Sequence, residues 1–210
     1  DIIKKYGAEI LRLWAISADY TSDMRISDKV LRQLTEVYRK IRNTIRFMLG
    51  NLSDFDPKND VMKYSDLEEI DRWALLRLER LKEKVTEAYE SYQYHLIFHL
   101  VHNFCVVDMS NQYMDIIKDR LYTFKADSRE RRSAQTAIYI VLNVMIKLIA
   151  PVLSFTAEEV WSYIPHSEED NSASIQLTDW PKPNNEYVDV KLEERWNKLM
   201  DIRSEVTKAL

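Results

Sequence analysis

Apolar residues recur at helical spacing along most of this 210-residue chain. The steps alternate between three and four residues, which places the apolar positions on one side of an α-helix. The clearest seam consists of Ala74, Leu78, Leu81, Val85, Ala88 and Tyr92. Such a seam lets a long helix pack nearly parallel to its neighbours. The pattern predicts an all-α protein: a bundle of long helices with small appendages that contain at most short strands.

Capping and breaking residues set the predicted helix boundaries. The predicted helices run from Asp1 to Ala18, Asp28 to Gly50, Ser65 to near Ser91, onward to about Tyr122, Asp127 to Pro151, Thr156 to before Pro165, and Lys191 to Leu210. Three of these starts resemble capping boxes, at 65–68, 127–130 and 156–159. Only residues 19–27 and 174–181 look extended.

Composition agrees with long helices in a soluble protein. Two glycines and five prolines leave few turns, and a single cysteine excludes an internal disulfide, which fits a reducing compartment such as the cytoplasm. The apolar run 137–155 contains Asn143, Lys147 and Pro151, so it fits the central rod of a bundle better than a membrane span. The first residue is Asp1 and the last helical pattern runs into Leu210, so we expect a piece of a longer protein.

Charge is segregated along the chain. The formal net charge is −4 overall, yet residues 25–50 carry seven cations against two carboxylates, a net of +5. Residues 51–71 carry −5 and residues 157–210 carry −6. An acidic chain with one strongly basic helix can bind a polyanion through that helix.

The basic helix presents a candidate binding surface. Its candidate residues are Arg39, Lys40, Arg42, Asn43 and Arg46. The arginines would contact phosphates and Asn43 would direct a hydrogen bond. The alternative is a solvated face neutralised by the acidic segment 51–71. Arg129 and Arg132, with Arg131, form a second cluster in the first turn of a helix, where cations oppose the macrodipole and an external anion would offset them.

Residues suited to catalysis or metal binding are sparse. His95, His99, His102 and Cys105 fall on one side of a predicted helix, but about 15 Å of helical rise separates the first from the last. They cannot share one tetrahedral zinc ion, so core or interface histidines are the preferred interpretation and no metal is expected. Two glycines cannot build a phosphate-binding loop of the Walker or Rossmann type. We expect no catalytic residue in this chain.

Several motifs in order resemble one protein family. They are YGAEILRLWAISADYTSDMRIS (6–27), EVYRKIRNTIRFMLGNL (36–52), DRWAL (71–75), YQYH (92–95), HNFCVVDMS (102–110), YMDIIKDRLY (113–122), RRSAQT (131–136) and APVLSFTAEEVW (150–161). The series is similar to the region that follows the catalytic domain in class I aminoacyl-tRNA synthetases, and within them to the bacterial isoleucyl type. The resemblance covers residues 1 to about 181.

The resemblance implies a domain division and a partner. Residues 1–27 would form a stem-contact segment, 28–165 a helical anticodon-binding bundle, and 166–210 a short extended segment with a terminal helix. The partners would be isoleucine-accepting tRNA and the remainder of the synthetase. ATP and Mg²⁺ would bind elsewhere in the parent enzyme, because the HIGH-type and KMSKS-type signatures do not occur here. The zinc module of the family is also missing from these residues.

Three alternatives stay open at this point. The chain can be the same domain of a valyl- or leucyl-type synthetase. It can instead be a non-catalytic helical module that binds proteins through its apolar seams. The third alternative is a metalloenzyme that uses the histidines.

Overall fold

Helices make up most of the chain in the computed structural model, which describes residues 2–168 and 170–209. The α-helices are α1 (Ile2–Tyr6), α2 (Ala8–Ile16), α3 (Asp28–Gly50), α4 (Glu69–Glu90), α5 (Tyr94–Asn103), α6 (Asp115–Thr123), α7 (Arg129–Ile149), α8 (Ser154–Trp161) and α9 (Val190–Ala209). A π-helical stretch, Phe104–Met114, joins α5 to α6, and 3₁₀ turns occupy Tyr64–Asp66, Ile175–Leu177 and Asn185–Tyr187. No strand occurs in the described ranges, which confirms the all-α prediction.

Helix α7 is the central rod of the bundle. It packs along α4 and also contacts α3, α6 and α8. Residues 133–139 are buried without interruption, as expected for a helix that is apolar on every side. Lys147 lies further along α7, where its ammonium pairs with Asp170 at 2.6 Å and lies 5.6 Å from the ring centroid of Trp161. Within the described residues, no helix has the length and apolarity that crossing a membrane requires.

The predicted seam of α4 forms the partner surface of α7. Ala74, Leu78, Leu81, Val85 and Ala88 are all buried, as the spacing predicts. Tyr92 does not belong to the seam, because it lies beyond the end of α4 and is 64% exposed. Its φ of 58° is left-handed, and the backbone N–H of Gln93 donates to the carbonyl of Ala88 at 2.8 Å. The left-handed conformation of Tyr92 and this hydrogen bond end α4 at the break predicted near Ser91.

A buried polar cluster joins the starts of α4 and α7 to α6. The carboxylate of Asp71 is fully buried and accepts from both terminal nitrogens of Arg120, at 3.0 and 2.7 Å. It also accepts from the hydroxyl of Tyr113 at 2.8 Å and from the hydroxyl of Ser133. The polar side chains of Asp71, Tyr113, Arg120 and Ser133 therefore all have partners, which is the condition for a polar cluster to stabilise a core.

The first predicted helix is interrupted. Gly7 has φ 87°, a conformation that favours glycine, and it separates α1 from α2. Ile10 and Leu13 are buried as the spacing predicts, but Ile3 is 59% exposed. Asp1, the predicted start of the first helix, and Leu210, the predicted end of the last helix, lie outside the described residues.

All three predicted capping boxes are wrong in detail. Helix α4 begins at Glu69 with no side-chain cap, and the Ser65 hydroxyl contacts Asp66 instead. Helix α7 is capped by Ser128, one residue later than predicted, through its hydroxyl and the N–H of Arg131. Helix α8 begins at Ser154, and the N–H of Thr156 donates to the carboxylate of Glu9 on α2 at 2.8 Å.

The two stretches predicted as extended are also corrected. Residues 19–27 form turns and irregular backbone. Residues 174–181 contain the 3₁₀ turn Ile175–Leu177, capped by the Ser174 hydroxyl. An extended segment that pairs with no other strand gains no inter-strand hydrogen bonds. Local turns are therefore more stable than extended backbone in these two stretches.

Candidate nucleic-acid interface

Helix α3 forms where the sequence predicts it. The hydroxyl of Ser27 accepts from the N–H of Val30 at 3.3 Å and caps the start. Leu34, Ile41, Ile45 and Met48 are buried in the bundle, while Val30 and Val37 are half-buried at its edge. The apolar side of α3 therefore packs against the core of the bundle.

The polar side of α3 faces solvent. Five candidate residues form what we call the α3 stripe: Arg39, Lys40, Arg42, Asn43 and Arg46. All five are exposed. The side chains of Arg39 and Arg42 are 61% and 54% exposed. The structure thus brings these five predicted residues together on one accessible surface.

Internal carboxylates neutralise the α3 stripe only in part. Arg39 pairs with Glu36 of the same helix at 3.2 Å, and Arg42 pairs with Glu159 of α8 at 3.3 Å. Exposed pairs of this kind contribute at most about 1 kcal/mol, so an incoming phosphate can replace the carboxylate. Within residues 2–168 and 170–209, no carboxylate lies within 4.0 Å of Lys40 or Arg46.

The acidic segment 51–71 does not cover the α3 stripe. Its carboxylates form ion pairs with other parts of the bundle: Asp54 with Arg131 and Arg132, Asp60 with Arg132, Glu68 with Arg129, Glu69 with Arg195, and Asp71 with Arg120. Among the described ion pairs of segment 51–71, none involves α3. The idea that this segment neutralises the basic helix is therefore not supported by the geometry.

The second cluster of candidate residues is placed differently. Arg132 is only 17% exposed and donates to the Asp54 carbonyl at 2.9 Å and to Gln135 at 2.7 Å. Arg129 is 63% exposed and donates to the carbonyl of Asp66 at 2.9 Å. Carboxylates of the chain itself therefore take the place of the external anion that was predicted beside these arginines. A role for Arg129 and Arg132 in binding tRNA stays a prediction that the geometry favours less than the α3 stripe.

Two partly exposed surfaces flank the α3 stripe. On one side α8 presents Tyr163, just after its last turn, with 72% of the residue exposed. On the other side, next to Lys40 of the stripe, lies the imidazole of His102, whose pKa is lowered by burial and then by the neighbouring Lys40 and His99. A neutral imidazole adds no charge beside the stripe at physiological pH.

Tyr163 is the site residue that sequence reasoning misses. In the sequence it is an aromatic residue at the end of a short helix, two positions before Pro165, with no signal for exposure. Its proximity to Arg42 and Arg46 depends on α8 packing beside α3, a contact between residues more than a hundred positions apart.

The side chains of His95, His99, His102 and Cys105 do not come together as a metal site. In the described part of the chain, no three His, Cys, Asp or Glu side chains are grouped so that they could hold a metal ion. Cys105 is fully buried, and burial raises the pKa of its thiol to about 12. His99 is exposed, whereas His95 and His102 are half-buried. The placements of Cys105, His95 and His102 fit the preferred interpretation of core and interface residues, whereas the exposed His99 does not.

Family comparison assigns this geometry to a known class of domain. Residues 71–210, two thirds of the chain, match the family described as the anticodon-binding domain of tRNA ligase. The chain belongs to this family. The α3 stripe precedes the matched residues and lies on the same bundle.

Relatives that align along the whole chain include the α3 stripe in the alignment. The isoleucine–tRNA ligase of Thermoanaerobacter sp. (strain X514) is 58% identical over all 210 residues, and that of Caldicellulosiruptor saccharolyticus is 60% identical over 211 aligned positions. The chain spans 22% and 23% of these relatives' lengths, so it corresponds to about a fifth of each ligase.

A solved structure supports the fold of the anticodon-binding domain. The LeuRS in a ternary complex with tRNA and LeuAMS, from Agrobacterium radiobacter K84, superposes with a TM-score of 0.64 at 15% identity. The match covers 90% of this chain and 21% of that one. At this identity the likeness shows a shared helical fold.

Proposed function

We propose that this anticodon-binding domain belongs to an isoleucine–tRNA ligase and that the α3 stripe binds the phosphate backbone of tRNA. The observation that carries the proposal is the exposed side of α3, where Lys40 and Arg46 have no carboxylate nearby in the described chain. The names of the whole-chain relatives support isoleucine as the amino acid.

Each residue type of the α3 stripe has a distinct proposed role. Arg39, Arg42 and Arg46 would hold phosphates, since a guanidinium can donate two parallel hydrogen bonds to phosphate oxygens. Lys40 adds a point charge. Asn43 lies among them with an exposed amide that can donate to and accept from a sugar or a base edge.

The parent enzyme supplies the chemistry in this proposal. It would attach isoleucine to its tRNA with ATP and Mg²⁺ bound by its catalytic domain, in the cytoplasm. Residues 1–27 would contact the tRNA stem, 28–165 would form the anticodon-binding bundle, and 166–210 would lead into the remainder of the ligase. Helix α9 exposes Leu199, Ile202 and Val206, which another part of the ligase can cover.

The first experiment measures how tRNA affinity depends on salt. The variant Arg39→Ala/Arg42→Ala/Arg46→Ala should bind tRNA far more weakly than the wild-type chain. If three phosphate contacts are lost, the slope of log K against log salt, which is negative, should become less steep by about 2 to 3. Filter binding over a salt series gives both quantities, and circular dichroism should show an unchanged helical bundle because all three side chains are exposed.

A matched control separates local contact from overall charge. Replacing Arg195, Arg203 and Lys208 of α9 with alanine removes an equal number of positive charges from another surface. The slope of log K against log salt should then stay near the wild-type value. Equal losses in both triple variants would contradict the assignment to α3. A flat titration of the wild-type chain at low salt would instead favour the protein-interaction module.

The amino-acid assignment needs a competition assay. Purified isoleucine, valine and leucine tRNAs would compete for the full-length ligase that contains this domain. Preference for the valine or leucine tRNA would replace the isoleucine proposal with the corresponding alternative and leave the α3 stripe in place.

A further inference from the structure

A cleft of about 150 Å³ opens between the second half of α3 and the end of α8. Its apolar wall consists of Ile45, Leu49 and Val160. Its polar and aromatic rim consists of Arg42, Arg46, Thr156, Glu159 and Tyr163. The cleft therefore shares Arg42 and Arg46 with the α3 stripe and adds groups that a phosphate site does not need.

Hydrogen bonds join α8 and the residues just before it to α3 and α2. The Thr156 hydroxyl is 2.8 Å from the hydroxyl of Tyr38 on α3. From α2, Arg12 donates to the carbonyls of Val152 and Pro151 at 2.6 and 2.8 Å, just before α8 begins. Because α2 and α3 both contact α8 or the residues just before it, the end of α8 lies beside α3 and Tyr163 lies at the rim of the cleft.

We propose that this cleft receives one unpaired base of an RNA loop. The ring of Tyr163 stacks on the face of the base, Arg46 binds the adjoining phosphate, and Glu159 accepts hydrogen bonds from the Watson–Crick edge. The inference rests on the proposed function, because the α3 stripe must first bring an RNA backbone to this surface.

The groups around the cleft fit a base better than another phosphate. Stacking on an aromatic ring and an apolar wall suit the flat face of a base, and unpaired bases are commonly bound in this way. Glu159 would repel a phosphate, but its carboxylate can accept from N–H groups. Guanine fits first, since its N1–H and N2–H donate side by side, whereas uracil places carbonyl oxygens on both sides of its single N–H.

Binding of the base requires an exchange of partners at Glu159. Its carboxylate is 3.3 Å from Arg42, and both side chains are 54% exposed. In water this pair separates at little cost. When Arg42 turns to a phosphate of the same RNA, Glu159 becomes available to the base edge, so the backbone and the base are bound together.

The test compares an RNA hairpin that has a uridine loop with a blunt duplex that has no unpaired base. For Tyr163→Ala, hairpin affinity should fall about 5- to 150-fold, the loss expected when one stacked base loses its aromatic platform. Duplex affinity should stay within about twofold of wild type, because the α3 stripe is intact. Tyr163→Phe should restore hairpin binding, and Tyr122→Ala, which removes another exposed tyrosine (65%), should not change it.

A second variant tests the role of Glu159. When one loop uridine at a time is replaced by guanosine, wild-type affinity should rise about tenfold at one position, within the range for a good bidentate contact. Glu159→Gln should abolish this preference, because the amide replaces one acceptor oxygen with a donor. Fluorescence anisotropy with labelled RNAs measures all of these affinities.

The outcomes separate the cleft from the α3 stripe. Unchanged hairpin binding by Tyr163→Ala would overturn the cleft proposal and leave the proposed function intact. Equal loss of hairpin and duplex binding would give Tyr163 a structural role and also overturn it. If the wild-type chain bound neither RNA at low salt, both the proposed function and the cleft proposal would be wrong.

Discussion

Replacement of Asp71 by alanine is the sharpest test of what holds the bundle together. Its carboxylate is completely buried and accepts hydrogen bonds from three side chains, one each on the π-helical stretch, α6 and α7. Removal of the carboxylate leaves the guanidinium of Arg120, only 15% exposed, without its counter-ion. The hydroxyl of Tyr113 would keep only a long contact of 3.5 Å to the carbonyl of Ala134.

The expected cost follows from which groups lose their partners. Truncation of one member of a buried, hydrogen-bonded ion pair typically costs about 3–5 kcal/mol, because the remaining charge stays desolvated and unpaired. Arg120 retains one backbone acceptor, the carbonyl of Glu130 at 3.2 Å, which compensates only partly. For a chain of this length the loss corresponds to a fall in melting temperature of roughly 6–20 °C.

Urea denaturation followed by far-ultraviolet circular dichroism gives the free energy of unfolding. The matched control is Asp115→Ala, which removes an aspartate paired with Lys118 and Arg203 on the exposed surface. That change should cost far less than Asp71→Ala, because water already solvates the exposed pairs of Asp115. The double variant Asp71→Ala/Arg120→Ala should be more stable than the sum of the two single losses, since no buried charge is left unpaired.

The reasoning fails if Asp71→Ala is no more destabilising than Asp115→Ala. It also fails if the losses from Asp71→Ala and Arg120→Ala simply add. Additivity would mean that the two groups contribute independently, whereas two hydrogen bonds of 3.0 and 2.7 Å predict strong coupling.

Two further predictions concern titratable groups. Cys105 should react with a thiol reagent only after unfolding, because burial raises its pKa to about 12; rapid labelling of the native chain at mildly alkaline pH would contradict this. Asp54, whose pKa Arg131 lowers from 3.8 to about 2, should contribute stability above the ordinary pKa and lose it as pH falls toward 2. The stability difference between wild type and Asp54→Asn should therefore shrink on acidification; a constant difference would refute the assignment.

Long apolar periodicity made much of the fold predictable from sequence. The seam of α4 and the bounds of α3 follow from residues three or four apart, so neighbouring positions carry the information. Helix α7 is capped by Ser128, next to the predicted Asp127, but at α4 and α8 the capping boxes failed because distant residues complete the helix starts. Glu9 caps α8 from a distance of 147 residues, and Ser133 accepts from the N–H of Glu68 just before α4. Local sequence cannot report contacts of this range.

The same distinction applies to the candidate site. The α3 stripe was predictable because its cations share one side of one helix. Tyr163 was not, since its position beside Arg46 requires α8 to be docked by Arg12 and Tyr38. The partners of Arg132 were also hidden: Asp54 and Asp60 precede it by more than seventy residues and reach it only in the folded bundle.

Position along the helix explains why two groups of arginines have different surroundings. Arg131 and Arg132 lie in the first turn of α7, where unpaired N–H groups and the macrodipole already create positive potential. Asp54 and Asp60 relieve that potential, and without them the start of the central helix would be destabilised. The α3 stripe lies along the middle and second half of its helix, away from the positive end, and its neighbours along the helix surface include Glu36. Folding therefore requires no further internal anion there, and the positive surface stays accessible to the tRNA backbone that we propose it binds.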